Sequence, residues 1–77
     1  MLVTVELKDG QDASIAELAI CFDDEGLEFL IEKLSRLRGK KDHLHLMTQA
    51  WAGNELSNEK QGGENYDLIN HLRLVKL

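Results

Sequence analysis

A single cysteine, Cys21, rules out an internal disulfide. Small secreted domains that cannot build a sufficient core usually carry several. With nothing to pair with, Cys21 reads as a small buried hydrophobe. Basic residues are scarce too: nine Lys and Arg stand against fourteen Asp and Glu, for a formal charge of −5. That balance argues against nucleic acid as a partner, because phosphate contacts need clustered Lys and Arg. It favours a partner that is itself basic, since complementary charge speeds encounter and selects partners more than it adds affinity. No apolar run approaches the roughly 20 residues that span a bilayer. Met1 runs directly into strand-like sequence, with no basic region or cleavage pattern. A cytoplasmic setting without membrane association is the expectation.

Catalytic signatures are missing as well. Ser14, Ser35 and Ser57 sit in no nucleophile-elbow context. Gly62-Gly63 has no Lys-Ser/Thr after it, so it is not a phosphate-cradling loop. Asp23-Asp24 is better read as a helix cap than as a general acid and base. No enzyme and no cofactor are expected.

What is present fits one folded domain, residues 1–77. A chain this short buries a modest share of its surface, so a second copy or a tight partner matters more than for a larger protein. MLVTVELK alternates, with Val3, Val5 and Leu7 on one face and Thr4, Glu6 and Lys8 on the other, the period of a half-buried strand. Asp9-Gly10 is a turn signal. Ala13 to Phe22 then alternates again with Ala16, Leu18, Ile20 and Phe22 on one face, giving a hairpin.

FDDEGLEFLIEKLSRLRGKK changes period. Leu27, Leu30, Ile31, Leu34 and Leu37 form one helical stripe. Asp23 or Asp24 caps its start, Gly39 suits a left-handed stop, and Glu32 and Arg36 are spaced for an i,i+4 pair. DHLHLM returns to the strand period: Leu44 and Leu46 face one way, His43, His45 and Met47 the other. The polar stretch Gln49 to Asn65 is long for a loop in a compact domain, which points to function or hidden structure. Asn54 can cap a short helical turn through Lys60, stopped at Gly62. YDLINHLRLVKL closes the chain as one strand, with Leu68, Leu72 and Leu74 on one side and His71 and Arg73 on the other.

The order ββαββ with a right-handed crossover predicts an α+β, two-layer sandwich. One helix covers one face of a four-stranded antiparallel sheet, in the order 2-1-3-4. The other face is left open and polar, and the histidines belong to it. His43 and His45, roughly 6.6 Å apart along a strand, can share a zinc ion with His71. No further ligand pair supports that, so solvated or partner-facing histidines are the plainer reading. Trp51, the lone tryptophan, either plugs the core edge or anchors a binding surface. With Asn54, Glu55, Glu59, Glu64 and Asp67 as an acidic rim, and His43, His45 and His71 on the sheet, the second alternative describes a patch made for a basic partner.

Four segments, EGLEFLIEKLSRL, DHLHLM, AWAGNELSNEKQ and NYDLINHLRLVKL, resemble a family of small bacterial immunity proteins found beside polymorphic toxins, numbered thirty-two in the immunity-protein series. The similarity spans about two-thirds of the chain, from the helix onward, and the first hairpin matches in pattern alone. The resemblance implies a non-enzymatic role: binding and occluding a cognate toxin domain made by the same cell. It singles out Gly26, His43, His45, Trp51, Gly53, Asn54, Glu55, Leu56, Asn70 and His71. Two rival readings stand beside it, a structural or regulatory homodimer that pairs open faces or edge strands, and a small metal-binding protein using His43, His45 and His71.

Overall fold

The computed structural model describes residues 1–8, 10 and 12–77. The Asp9 half of the expected Asp9-Gly10 turn lies outside them. The element order is β1 (Val3–Lys8), β2 (Glu17–Phe22), α1 (Asp24–Ser35), β3 (Asp42–Met47), a 3-10 turn at Gln49–Trp51, β4 (Tyr66–Leu68) and β5 (His71–Lys76). It is an α+β fold with one helix among the described residues and antiparallel strands throughout. The second strand starts later than Ala13, because Asp12 organises a turn instead: its side chain accepts from the Ser14 amide and hydroxyl at 3.0 and 2.8 Å.

The expected single sheet of order 2-1-3-4 is not formed. The strands make a three-stranded sheet, β2-β1-β4, and a two-stranded sheet, β3-β5. The cause is in the last segment, which splits between the two. The amide of Ile69 donates to Val5 in β1 at 2.7 Å, while the next carbonyl, Asn70, accepts from the Thr48 amide at 3.0 Å beyond β3. The buried Thr48 hydroxyl also donates to the Asn70 side-chain oxygen at 2.7 Å. One residue thus belongs to β1 and its neighbour to the end of β3. The faces change at the same step. Leu68 pairs with Glu6, on the side of β1 away from the core, and Ile69 enters the core in its place, followed by Leu72 and Leu74. Where the last segment leaves β1, the loop fills in: Leu56 donates to the Met47 carbonyl and Ser57 to that of Val3, at 3.1 and 2.6 Å.

The core is Val3, Val5, Leu46 and Leu56, with Phe29, Leu30, Ile69, Leu72 and Leu74 packed against it. Helix α1 is capped as its sequence suggests. The Asp23 carboxylate accepts from the Gly26 amide at 2.7 Å and from the Leu2 amide at 3.0 Å, which ties the helix start to the entry of β1. Glu32 and Arg36 pair at 2.7 Å, and Gly39 takes a left-handed φ of 74°. The leucine stripe is turned away from its expected position. Leu37 is buried and Leu30 partly so, but Leu27, Ile31 and Leu34 remain exposed. Gly26 rather than Leu27 faces inward, because the helix start lies directly on the backbone of β1.

Candidate functional site

On β3, His43 and His45 alternate with Leu44 and Leu46, and Leu46 is buried while both histidines are exposed. Antiparallel pairing sets Met47 opposite His71 and His45 opposite Arg73, so the three histidines share the side of this sheet that faces away from the core. Their rings meet. His45 Nδ1 and His71 Nε2 lie 2.6 Å apart, and those two rings stack with centroids 4.9 Å apart. His43 meets His45 edge-on at 5.0 Å. One ring of the close pair must donate and the other accept, so at least one is neutral. Desolvation, followed by the positive charge of His71, His43 and Arg73, lowers the His45 pKa. His45 is therefore biased toward its neutral form.

Trp51 completes the group. Its indole tilts over His71 with centroids 5.5 Å apart, and it is 54% exposed, so it does not plug the core edge. The 3-10 turn carries it there: the Trp51 and Gly53 amides both donate to the Thr48 carbonyl at 3.0 Å, and Ala52 closes the turn in the left-handed conformation, φ 64°. The helical turn expected from Asn54 to Lys60 is absent. Gly53 is needed for a different reason, since a Cβ there would come within 2.6 Å of the Met47 carbonyl oxygen.

The acidic rim is not one patch. Glu55 turns inward, where its carboxylate accepts from the Met47 and Asn54 amides at 3.3 and 3.0 Å. Burial raises its pKa, but these amide bonds and Lys33 outweigh that and hold it below the ordinary value. Glu55 clips the backbone at this corner. Asn54 is exposed, next in sequence to that clip. Glu59 and Glu64 are exposed on the loop that crosses the three-stranded sheet, and Asp67 pairs with Leu7 in that same sheet. The histidines and Trp51 form one surface, and these three acids lie elsewhere. Asn70 serves the strand switch, and Leu56 is core.

Sequence reasoning missed Glu6. The outward face of β1 is not open: Thr4 and Glu6 are both 0% exposed. The Glu6 carboxylate accepts from the Thr4 hydroxyl at 2.6 Å, the Gln61 amide at 2.9 Å and the Gly62 amide at 2.7 Å. The long polar stretch is thus a cover clamped onto a buried carboxylate. Burial raises the Glu6 pKa, and the bonds from Thr4, Gln61, Gly62 and the half-buried Cys21 thiol bring it below its usual value. The alternating strand gives no sign of this, because the donors that hold Glu6 are mostly backbone amides more than fifty residues away.

Two nitrogens on a tetrahedral zinc ion, each about 2.0–2.1 Å from it, are separated by roughly 3.3 Å. The His45–His71 spacing of 2.6 Å is that of a direct hydrogen bond. Among the described residues no group of three or more His, Cys, Asp or Glu is arranged to hold a metal ion, and no helix is long and apolar enough to cross a membrane. No protein-family model matches the chain, and comparison with curated proteins and with solved structures finds no match.

Proposed function

We propose that the chain is an immunity protein that binds a cognate bacterial toxin domain and neutralises it by occlusion, without turnover. The observation that supports this is the surface of His43, His45, His71 and Trp51. It gathers the chain's only tryptophan and all three histidines on the outer side of β3 and β5, where they do no packing for the core. A large aromatic with a polar edge beside clustered imidazoles is the composition of an interface anchor. The segments that build it, DHLHLM, AWAGNELSNEKQ and NYDLINHLRLVKL, are the ones that resemble the immunity family. The charge of −5 supplies long-range attraction to a basic toxin, with Glu59, Glu64 and Asp67 contributing from outside the contact. Docking itself rests on the aromatic and imidazole surface.

The test is rescue. If a large secreted protein with a toxin-like C-terminal domain is encoded beside this chain, cells expressing that domain should survive when the chain is co-expressed. Trp51→Ala should weaken binding by roughly 30-fold or more, the scale of an interface hot spot, and abolish rescue. The variant should remain folded, because Trp51 supports no core contact. Affinity should also fall on acidification below the ordinary histidine range, as a proton taken up by His45 beside Arg73 opposes a cationic surface. Undiminished rescue by the Trp51→Ala chain would overturn the assignment.

A further inference from the structure

Strand β2 is an edge strand with β1 as its one partner among the described residues. Leu18, Ile20 and Phe22 point to the core side of the sheet, opposite Leu7, Val5 and Val3, yet they are 56%, 40% and 46% exposed. The helix leaves them open even though it starts beside Phe22, where Gly26 approaches the Phe22 Cβ. Natural edge strands are usually protected by Lys, Pro, a bulge or a covering loop. ELAICF has Glu17 at one end and no other charge.

We infer that this edge pairs with the same edge of a second copy of the chain. The sequence of β2 is self-complementary in one antiparallel register. A twofold axis at Ala19 sets Leu18 opposite Ile20 of the partner, Ala16 opposite Phe22 and Glu17 opposite Cys21, so no like charges face each other across the strands. Opposed residues in an antiparallel pair point to the same side. Both apolar faces therefore lie on one side of a continuous six-stranded sheet, and Leu18, Ile20 and Phe22 of each copy cover those of the other. Between two copies the net charge of −5 opposes contact at the acid-rich surfaces, whereas β2 brings one acid per strand, Glu17, and this register sets it opposite Cys21 rather than another acid. The chain also gains from the contact: among the described residues five hydrophobic residues are buried, while eleven large ones are exposed. The histidine and tryptophan surface belongs to the other sheet, β3-β5, so the pairing does not use it and leaves two proposed toxin-binding faces free. A dimer and an immunity role are then compatible, and the dimer stands or falls independently of that role.

Sedimentation equilibrium on the purified chain should give a dimer whose dissociation is concentration-dependent. Ile20→Glu should give a monomer with unchanged circular dichroism, and Trp51→Ala should stay dimeric. Two copies of Ala19→Cys, made in a Cys21→Ser background, should join in a disulfide on mild oxidation, since directly opposed strand residues have the right separation. A chain that stays monomeric up to millimolar concentration, an Ile20→Glu variant that remains dimeric, or an Ala19→Cys variant that fails to cross-link would each overturn the pairing.

Discussion

Replacing Gly26 with Ala should destabilise the protein by about 2 kcal/mol, within the usual range for overpacking, and lower its melting temperature by about 10 °C for a domain of this size. Helix propensity alone predicts the opposite, a gain of up to about 1 kcal/mol from removing a glycine. Contact geometry decides between them. A Cβ on Gly26 would collide with the Leu2 carbonyl oxygen and lie 2.9 Å from a Val3 methyl and 3.0 Å from the Phe22 Cβ. The obstacle is backbone, and it cannot move aside. Asp23 accepts from the Leu2 amide, and the Asp23 amide donates to the Leu2 carbonyl at 3.2 Å, so the helix start and β1 are joined at that point. Either the helix lifts and loses this link, or Val3 leaves a core it shares with Val5, Leu46 and Leu56. Thermal unfolding followed by circular dichroism measures the effect. An unchanged or raised melting temperature would mean that the helix does not rest on β1.

Glu6→Ala should cost more, about 4 kcal/mol, and should release the 57–62 segment before the rest unfolds. The substitution leaves the Gln61 and Gly62 amides and the Thr4 hydroxyl without their acceptor, and hydrogen bonds to a charged group are worth about 1.5–3 kcal/mol each before relaxation and water entry are allowed for. Hydrogen exchange at Gln61 and Gly62 should accelerate ahead of exchange in β1. The carboxylate also gives the wild type an acid limb. Its folded pKa lies below the unfolded value, so the ionised group stabilises the fold above about pH 4.3. That contribution is lost as pH falls through the folded pKa. Denaturant unfolding across this range should show a steeper acid loss for the wild type than for Glu6→Ala. Equal slopes would mean that Glu6 is not ionised in the fold.

Much of the local structure was legible from residue period. The alternation of β1 and β3, the Asp23 cap, the Glu32–Arg36 pair and the Gly39 stop follow from side-chain spacing and short-range hydrogen bonding. The outward aim of His43 and His45 follows from the same rule. What spacing does not specify is which neighbour a segment takes. Ile69 and Asn70 carry no glycine or proline to mark a break, yet they switch partners between two sheets. The Gln49 to Asn65 stretch looks like a binding loop because it is polar, whereas its backbone amides cap Glu6 and its Leu56 fills the gap between the sheets. Glu55 belonged to the expected rim on composition, and it points inward because two amides need an acceptor there. The helical stripe marks an apolar face, but spacing does not say how much of it is covered, and Leu27, Ile31 and Leu34 stay exposed. Among the candidate site residues, strand parity identified the histidines. Trp51 joined them through a 3-10 turn that nothing in the local sequence announces.

Trp51 is the only tryptophan in the chain, so its emission reports on the proposed contact surface without labels. Titration with the cognate toxin domain, in a tryptophan-free form, should shift that emission to the blue and protect it from acrylamide quenching, saturating at one toxin domain per chain. Tight binding that leaves Trp51 as red-shifted and as quenchable as in the free protein would place the partner elsewhere and contradict the account.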